Sequence, residues 1–264
     1  MSFKHIISRD NPVFKHLKKI TENSRERKRE SATLLDGVHL IQAYIQMFGA
    51  PELLIIPEGK SSHEATSLVQ DLQDDVNTIM FPTLMFAELT PVASSTGVLA
   101  LVKIPELAAP EQVEMALLLE DIQDPGNMGS ILRAAAAAGV QQVFLSQGCT
   151  DAWSPKALRG GQGAQFVLSV VSNANLLEVL ANFDGVSYAM AMQGESLYQQ
   201  DLSGKCLFVM GNEGLGLSST TLAATDKVIT IPMAQSHAMA VESLNVAAAT
   251  AVALFECRRQ KLKL

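Results

Sequence analysis

Three short segments of the chain carry amide, carboxylate or guanidinium side chains, in two of them together with glycine. The first, Asp-Pro-Gly-Asn-Met-Gly-Ser-Ile-Leu-Arg, contains Asn127 and Arg133. The second, Gly-Asn-Glu-Gly-Leu-Gly, contains Gly211 and Glu213, and the third, Glu-Ser-Leu-Asn-Val, contains Asn245. Amides and arginine bind phosphate and orient hydroxyl groups through hydrogen bonds. The residue types therefore indicate a site that positions a polar, anionic substrate.

The first segment lies between two predicted strands. The apolar run 115–119 predicts a buried strand, Pro-Gly predicts a turn, and 143–146 predicts the next strand. Between them, 133–138 is alanine-rich and predicts a helix, with Ser130 as a plausible N-cap. This order predicts a βαβ unit of a parallel sheet. A helix N-terminus is a natural anion site, and Arg133, about one turn into this helix, would share that anion.

The second segment follows a predicted buried strand over 206–210. Ligands of open α/β sheets bind at the carboxyl ends of the strands, so this position favours a binding site. Glu213 has no obvious structural task, although a glycine-rich turn before a helix is the plain alternative. The spacing matches neither the dinucleotide fingerprint nor a phosphate-binding Walker loop, which disfavours nicotinamide cofactors and nucleoside triphosphates.

The third segment follows a predicted strand over 228–233 and precedes a predicted helix over 247–259. Ser243, or Asn245 slightly later, could cap that helix. Capping explains one polar residue, whereas Glu-Ser-Leu-Asn supplies three. The small residues that open the helix favour close packing against a backbone or a bound ligand.

Composition limits the class of partner. The chain has 264 residues, 48% of them apolar, and a formal net charge of −7, so any nucleic-acid site must be a local patch. A basic amphipathic helix over 11–21 and the residues after it provide one such patch. Its candidate phosphate contacts, for which a solvated helix face is an equal alternative, are Lys15, Lys18, Arg27 and Lys28. Lys156 and Arg159, three residues apart, form a second candidate pair beside a glycine-rich segment.

Cysteine usage and apolar runs indicate the compartment. Three cysteines, without metal-ligand spacing, predict a reduced intracellular protein that binds no metal. The amino terminus lacks the apolar core of a signal peptide, and the longest apolar run, 246–255, is too short to span a bilayer. We therefore expect a cytoplasmic protein that does not associate with membranes.

Alternating strand and helix patterns divide the chain. Residues 1–103 predict a small α/β domain, and 104–112, with two prolines and no periodicity, predict a linker. Residues 113–264 contain the three segments and predict a parallel-sheet α/β domain.

Together, the three segments resemble the signature motifs of the SpoU/TrmH-type RNA 2′-O-ribose methyltransferases of the SPOUT superfamily. Residues 151–166 resemble the family's linking segment, and the amino-terminal domain resembles its RNA substrate-binding domain, which is similar to a ribosomal-protein fold. The resemblance implies a catalytic domain with a deep trefoil knot, a homodimer, and S-adenosyl-L-methionine as cofactor. The acceptor would be a ribose 2′-hydroxyl in rRNA or tRNA, with rRNA favoured over tRNA.

The resemblance also implies roles for individual residues. Arg133 would lie at the hydroxyl, either clamping a phosphate or stabilising the forming alkoxide, because an arginine is a poor base. We prefer the clamp, assisted by Asn127 and by Lys156 or Arg159. Glu213 and Asn245 would shape the active site. The cofactor would be held by Gly211, Ile231, Ser243 and Leu244.

The sequence departs from the family pattern in two helices. Relatives often have Thr and Asp after the motif arginine, where this chain has alanines 134–137, and Ser where this chain has Ala247. Two other functions stay open: a non-catalytic RNA-binding module of the same fold, and a nucleotide-dependent enzyme acting on small molecules. Intact motif residues argue against the first, and the missing phosphate loops argue against the second.

Overall fold

The computed structural model describes residues 3–59, 61–90, 95–234 and 243–262. Glu242, the first residue of the third segment, and His237, for which the sequence predicts an exposed loop position and no catalytic role, lie outside these ranges. No helix within them is long and apolar enough to cross a membrane.

Strands and helices alternate along most of the chain. The strands are β1 (Lys4–His5), β2 (Ala32–Asp36), β3 (Leu53–Pro57), β4 (Thr78–Phe81), β5 (Leu99–Lys103), β6 (Met115–Leu119), β7 (Gln142–Leu145), β8 (Ser169–Ser172), β9 (Val186–Ser196), β10 (Cys206–Met210) and β11 (Lys227–Thr230). The helices are α1 (Pro12–Glu22), α2 (Ser24–Glu30), α3 (Val38–Phe48), α4 (His63–Asp71), α5 (Thr83–Ala87), α6 (Pro125–Ala138), α7 (Pro155–Gly161), α8 (Leu176–Asn182), α9 (Ser219–Ala224) and α10 (Val246–Lys261). Short 3-10 helices cover Ala164–Phe166 and Leu197–Gln199.

The chain forms two compact units. The first contains Met1–Glu106 and Asp151–Phe166, and the second contains Leu107–Thr150 and Val167–Leu264. The break after Glu106 falls inside the predicted linker. The division differs from the predicted one for residues 151–166, which were assigned to the second domain.

The first unit contains a five-stranded sheet in the order β1-β4-β3-β5-β2. β1, β4 and β3 run parallel, whereas β5 is antiparallel to β3 and β2. Helix α1 begins where Asn11 accepts a hydrogen bond from the backbone of Val13, and it buries Phe14, Leu17 and Ile20 at helical spacing. The amphipathic helix predicted over 11–21 is therefore confirmed.

Residues 151–166 belong to the first unit because their apolar side chains complete its core. The ring of Phe166 lies edge-on to Tyr44, with centroids 5.7 Å apart, and stacks with Trp153 at 6.5 Å. Leu158 lies in the same buried cluster. By sequence, residues 166–170 predict a strand, but Phe166 packs in this cluster and ends a 3-10 helix, so β8 begins only at Ser169.

The second unit contains a six-stranded sheet in the order β11-β9-β10-β6-β7-β8. All its strand pairs are parallel, which confirms the predicted parallel α/β class. The central strands β6 and β10 are buried along their whole length, as their unbroken apolar sequences predict. The knot remains a prediction, since residues 235–242 lie outside the described ranges.

Helices α6 and α10 of this unit pack against each other through small residues. Ala135 and Ala138 are buried on α6, and Ala253 and Thr250 are buried on α10. Because their side chains are short, the two backbones approach closely. The Arg258 guanidinium donates a hydrogen bond to the carbonyl of Ala138 at the end of α6 (3.1 Å).

Candidate active site

All three motif segments lie at one edge of the six-stranded sheet. The first segment follows β6, the second follows β10, and the third lies between β11 and α10. Because β6, β10 and β11 are mutually parallel through β9, their carboxyl ends point the same way. β6 and β10 are neighbours at the point where the chain, after building β7 and β8 on one side, moves to the other side. Open α/β sheets bind ligands at such a switch point.

The start of α6 differs from the prediction. Its N-cap is Asp124, whose Oδ1 accepts a hydrogen bond from the backbone of Asn127 (2.9 Å), and Pro125 is its first residue. Ser130 is therefore not the cap. A proline is well suited to the first helical position because its missing N–H would be unpaired there anyway. The helix begins early enough that Asn127 lies in its first turn.

Glu213 fills the position where an external anion was predicted. Its carboxylate accepts hydrogen bonds from the backbone N–H groups of Gln123 (3.4 Å) and Asp124 (3.3 Å). It also accepts one from Nδ2 of Asn127 (3.0 Å). The start of α6 is thus occupied by the protein's own carboxylates. Glu213 therefore has a structural task that the sequence did not reveal, which is to join the first two motifs.

Asn245 extends this network to the third motif. Its Nδ2 donates a hydrogen bond to Oδ1 of Asn127 (3.0 Å), while its Oδ1 caps α10 by accepting from the backbone of Ala247 (2.9 Å). Because a carboxylate only accepts, Glu213 fixes the orientation of the Asn127 amide, which in turn fixes that of Asn245. We call this chain of three side chains, Glu213, Asn127 and Asn245, the motif network.

The hydrogen bonds of Glu213 determine its ionisation. Burial raises the pKa of Glu213, but hydrogen bonds from Asn127 and from backbone N–H groups outweigh burial, so the net pKa lies below its usual value. The network therefore contains a carboxylate that stays ionised at neutral pH.

The second motif forms a closed loop. The backbones of Asn212 and Gly216 exchange two hydrogen bonds (3.1 and 2.9 Å), and the side chain of Asn212 donates to the carbonyl of Asp121 (2.8 Å). A Cβ atom on Gly211 would lie 2.4 Å from the backbone of Gly216 and of Leu217. Only glycine fits at this point, where the strand meets the loop.

Two acidic residues after β6 support these loops, and the sequence analysis missed both. Glu120 accepts hydrogen bonds from the backbone of Ser218 and the hydroxyl of Thr221, both at 2.9 Å. Asp121 has a left-handed backbone (φ 55°), and its carboxylate accepts from Ser146 Oγ (2.6 Å). The available signal was two consecutive acids at the carboxyl end of a buried strand.

Arg133 lies away from the start of α6. It is the ninth residue of the helix, so its backbone is about 12 Å along the axis from Pro125 at 1.5 Å per residue. The predicted anion shared with the helix N-terminus is therefore wrong. Its side chain is exposed and, within the described ranges, forms no ion pair. The guanidinium is thus available to an external anion.

The predicted cofactor residues of the third motif border the same sheet edge. Ile231 directly follows β11 and is half-buried, and Ser243 and Leu244 directly precede the Asn245 cap. The backbones of Ile231 and Leu244 form no hydrogen bond to another residue of the described ranges. Gly211 opens the second loop, so all four predicted cofactor residues are in or beside the motif loops.

Arg27 does not have the predicted exposure. Its side chain is only 4% exposed, and its Nε forms an ion pair with Asp151 at 2.7 Å. Its Nη1 donates to the carbonyls of Ile20 and Thr21, at 2.6 and 2.9 Å. The prediction that Arg27 contacts phosphate is wrong, because its charge is used inside the first unit.

Arg159 is partly committed as well. Its Nη1 lies 3.3 Å from Oδ1 of Asp36, whose side chain is fully buried and also accepts from the hydroxyls of Thr90 and Ser95. Lys156, on the same short helix α7, is exposed. Both residues belong to the first unit.

The remaining basic candidates lie on α1 and α2. Lys15 pairs with Asp10 (2.7 Å) and Lys18 pairs with Glu88 (2.8 Å). Lys28 is exposed and has no ion-pair partner in the described part of the chain. Exposed pairs like those of Lys15 and Lys18 are weak, so their lysines can exchange a carboxylate for a phosphate.

Comparison with known proteins matches these observations. A family model described as the SpoU rRNA Methylase family matches residues 114–255. The Bacillus subtilis 23S rRNA (guanosine(2553)-2′-O)-methyltransferase RlmP is 31% identical, over 97% of this chain and 99% of its own. The Escherichia coli 23S rRNA (guanosine-2′-O-)-methyltransferase RlmB is 29% identical, over 86% of this chain and 98% of its own.

A solved structure has the same fold over nearly the whole chain. The SpoU methyltransferase AviRb from Streptomyces viridochromogenes, in complex with its cofactor AdoMet, superposes with a TM-score of 0.82. It is 25% identical and covers 96% of this chain and 98% of its own. With a family model that spans more than half of its length and a full-length relative above 30% identity, the chain belongs to the SpoU rRNA methylase family.

Proposed function

We propose that this protein transfers a methyl group from S-adenosyl-L-methionine to the 2′-hydroxyl of a guanosine in 23S rRNA. The observation that carries the proposal is the motif network, in which Glu213, Asn127 and Asn245 join three distant segments at one sheet edge. The names of RlmP and RlmB state 2′-O-methylation of a guanosine in 23S rRNA for those relatives.

The third-motif loop fits an adenosine cofactor. The backbones of Ile231 and Leu244 keep their hydrogen-bonding groups unused within the described ranges, and both side chains are apolar. Such groups can pair with the edge of an adenine and cover its face. Gly211, Ile231, Ser243 and Leu244 would hold the cofactor. When bound, S-adenosyl-L-methionine supplies a methyl group on a positively charged sulfur, which needs no metal to leave.

Arg133 is proposed as the residue that contacts the substrate. Its exposed guanidinium can bind a backbone phosphate of RNA through two parallel hydrogen bonds and so hold the adjacent ribose in place. The motif network would hold the motif loops in a fixed arrangement, because each amide in the network has one permitted orientation. Asn127, Glu213 and Asn245 would position the loops, while Arg133 would clamp the phosphate.

The first unit is proposed as the RNA substrate-binding domain. Lys15, Lys18 and Lys28 lie on α1 and α2, where they can contact phosphates over a stretch of the RNA. Lys156 and Arg159 on α7 would add a second contact point. Arg27 is left out, since its side chain is buried.

Two further properties belong to this proposal. We propose a homodimer, supported by apolar side chains that are exposed in one chain, including Leu215 (91%), Leu244 and Phe255. Sedimentation velocity of the purified chain tests this directly. Cytoplasmic action follows from the proposed substrate.

The reaction is tested with isotopically labelled S-adenosyl-L-methionine and the purified chain. Unmodified 23S rRNA, 16S rRNA and tRNA are supplied in separate reactions and digested to nucleosides for mass spectrometry. We expect label in 2′-O-methylguanosine from 23S rRNA alone. Label in tRNA would mean that the substrate is tRNA and not 23S rRNA. Label on a base would overturn the proposal of ribose methylation. Cofactor binding without transfer to any RNA, including ribosomal precursor particles, would favour the non-catalytic RNA-binding module.

A further inference from the structure

A strip of the six-stranded sheet, away from the motif loops, forms an apolar groove. The strand register places Leu118, Phe144 and Val171 side by side on one face of β6, β7 and β8. Helix α8 buries the β6 part of this face, where its Leu180 packs with Leu118. Beyond it, Phe144 is only half-buried and Val171 is 37% exposed.

The groove is large enough to hold several side chains of a bound peptide. It has a volume of about 530 Å³ and is bordered by Phe144 and Val171 from the sheet, Val179 from α8, Phe183 just after α8, and Val113 before β6. Parallel sheets usually have both faces covered by other elements, so an open apolar strip on one is unusual. Such a strip indicates a binding surface.

The rim of the groove is acidic. Three carboxylates border it, from Glu111, Glu178 and Asp184, against one ammonium, from Lys205, which leaves a net charge of −2. Lys205 is ion-paired with Asp184 at 2.8 Å. Glu111 and Glu178 are exposed and have no ion-pair partner among the described residues. This rim repels the phosphates of RNA and attracts lysine or arginine.

We propose that this groove binds a segment of a partner protein in which aliphatic residues alternate with lysine or arginine. The aliphatic side chains would cover Phe144 and Val171, and the cations would pair with Glu111 and Glu178. An extended segment fits because β8 is the edge strand of the sheet, so its outer backbone groups can pair with another strand. The groove is thus a protein-binding surface on an RNA-modifying enzyme.

The probe is a fluorescent peptide of alternating lysine and valine, titrated with the full chain and followed by anisotropy. Two control peptides are used. A lysine–serine peptide keeps the positive charge but lacks apolar side chains, and a glutamate–valine peptide keeps the apolar side chains but carries negative charge. We expect binding of the lysine–valine peptide and at least tenfold weaker binding of both controls, because each lacks one half of the recognition.

Variants locate the binding site. Glu178→Lys reverses an exposed rim charge, and Val171→Asp places a charge on the apolar strip. Each is expected to weaken peptide binding about tenfold. Glu195→Lys, at an exposed position on β9 that does not border the groove, applies the same charge reversal and should leave binding unchanged.

Three results would overturn the proposal. Equal binding of the lysine–valine and lysine–serine peptides would mean that charge alone attracts them. Equal weakening by Glu178→Lys and Glu195→Lys would mean that the site is elsewhere. Loss of self-association in Val171→Asp, seen by sedimentation, would show that a second copy of the chain covers the strip. These readouts use no methyl transfer, so they stand apart from the proposed reaction.

Discussion

The motif network of the second unit and the basic helices of the first unit use polar residues in opposite ways. In the network, Glu213, Asn127 and Asn245 bond to one another, and each fixes the orientation of the next. On α1 and α2, charged residues form ion pairs that lie mostly at the surface. Residue type predicted a site in the network, where spacing and strand ends supported it. On the basic helices, type alone could not separate the buried Arg27 from the exposed Lys28.

The largest effect is expected for Arg27→Ala, which tests the structural side of this contrast. Removing the guanidinium leaves the largely buried carboxylate of Asp151 without its partner. We expect a loss of about 3–5 kcal/mol in the free energy of unfolding, measured by urea denaturation. Asp151→Asn is the companion variant. RNA affinity lost without any loss of stability would show that Arg27 acts at the RNA after all.

Arg133→Ala tests the functional side. Loss of a clamp on the substrate should lower the rate of methyl transfer by about 10²–10³-fold, comparable to the loss of one key transition-state contact. Unfolding and cofactor binding should stay unchanged, because the side chain is exposed and unpaired within the described ranges. Calorimetry with S-adenosyl-L-methionine checks the second point. Loss of cofactor affinity would assign Arg133 to the cofactor instead.

Asn245→Ala removes both a helix cap and the last member of the network. The lost cap should cost about 1 kcal/mol of stability. Asn11→Ala is a matched control, since Asn11 caps α1 with the same 2.9 Å bond to the residue two positions on. Both variants should be destabilised to a similar degree, but only Asn245→Ala should lose methyl transfer. Equal methyl-transfer activities of the two variants would mean that the network contributes to folding alone.

Lys28→Ala should have a smaller effect, on RNA binding alone. Removal of one phosphate contact should weaken RNA binding modestly for every sequence and reduce the salt dependence of log K by about 1. Filter binding at several salt concentrations measures both. An unchanged salt slope would remove Lys28 from the RNA-binding surface.

The smallest effect is a pH dependence from Glu213. Its pKa in the folded protein lies below the unfolded value of about 4.3, so its stabilising contribution is complete above that value. The contribution is lost as the pH falls through the folded pKa. Wild type should therefore lose more stability than Glu213→Gln between pH 5 and pH 3, roughly the window set by that carboxyl group. Parallel curves for both proteins would contradict the depressed pKa.

Much of the second unit was predictable because its strands are short apolar runs. The strands over 115–119 and 206–210 were predicted to the residue, and the family inferred from the three motifs is confirmed. The predicted boundaries of elements were wrong where tertiary packing determines the local structure. Phe166 is drawn into an aromatic cluster with residues more than a hundred positions away, which local periodicity cannot reveal.

The site was only half predictable for a related reason. Glycines, amides and acids at strand ends indicated where it would be. Pairing within the site depends on which loops meet, so the sequence could not reveal that Glu213 fills the start of α6. The start of α6 itself was missed because Ser130 is a good cap residue by type, although Asp124 followed by Pro125 gave a stronger signal.

Asn245 has a consequence for engineering, because one side chain serves both folding and the site. A library screened for stability would select against most substitutions at this position, since they also remove the cap of α10, at a cost of about 1 kcal/mol. Such a screen would retain the motif network without measuring activity. Arg133 has no such protection, because its exposed side chain adds nothing to stability that a screen could detect. Selection for stability would thus preserve Asn245 and the motif network but would allow Arg133, the proposed substrate contact, to be replaced.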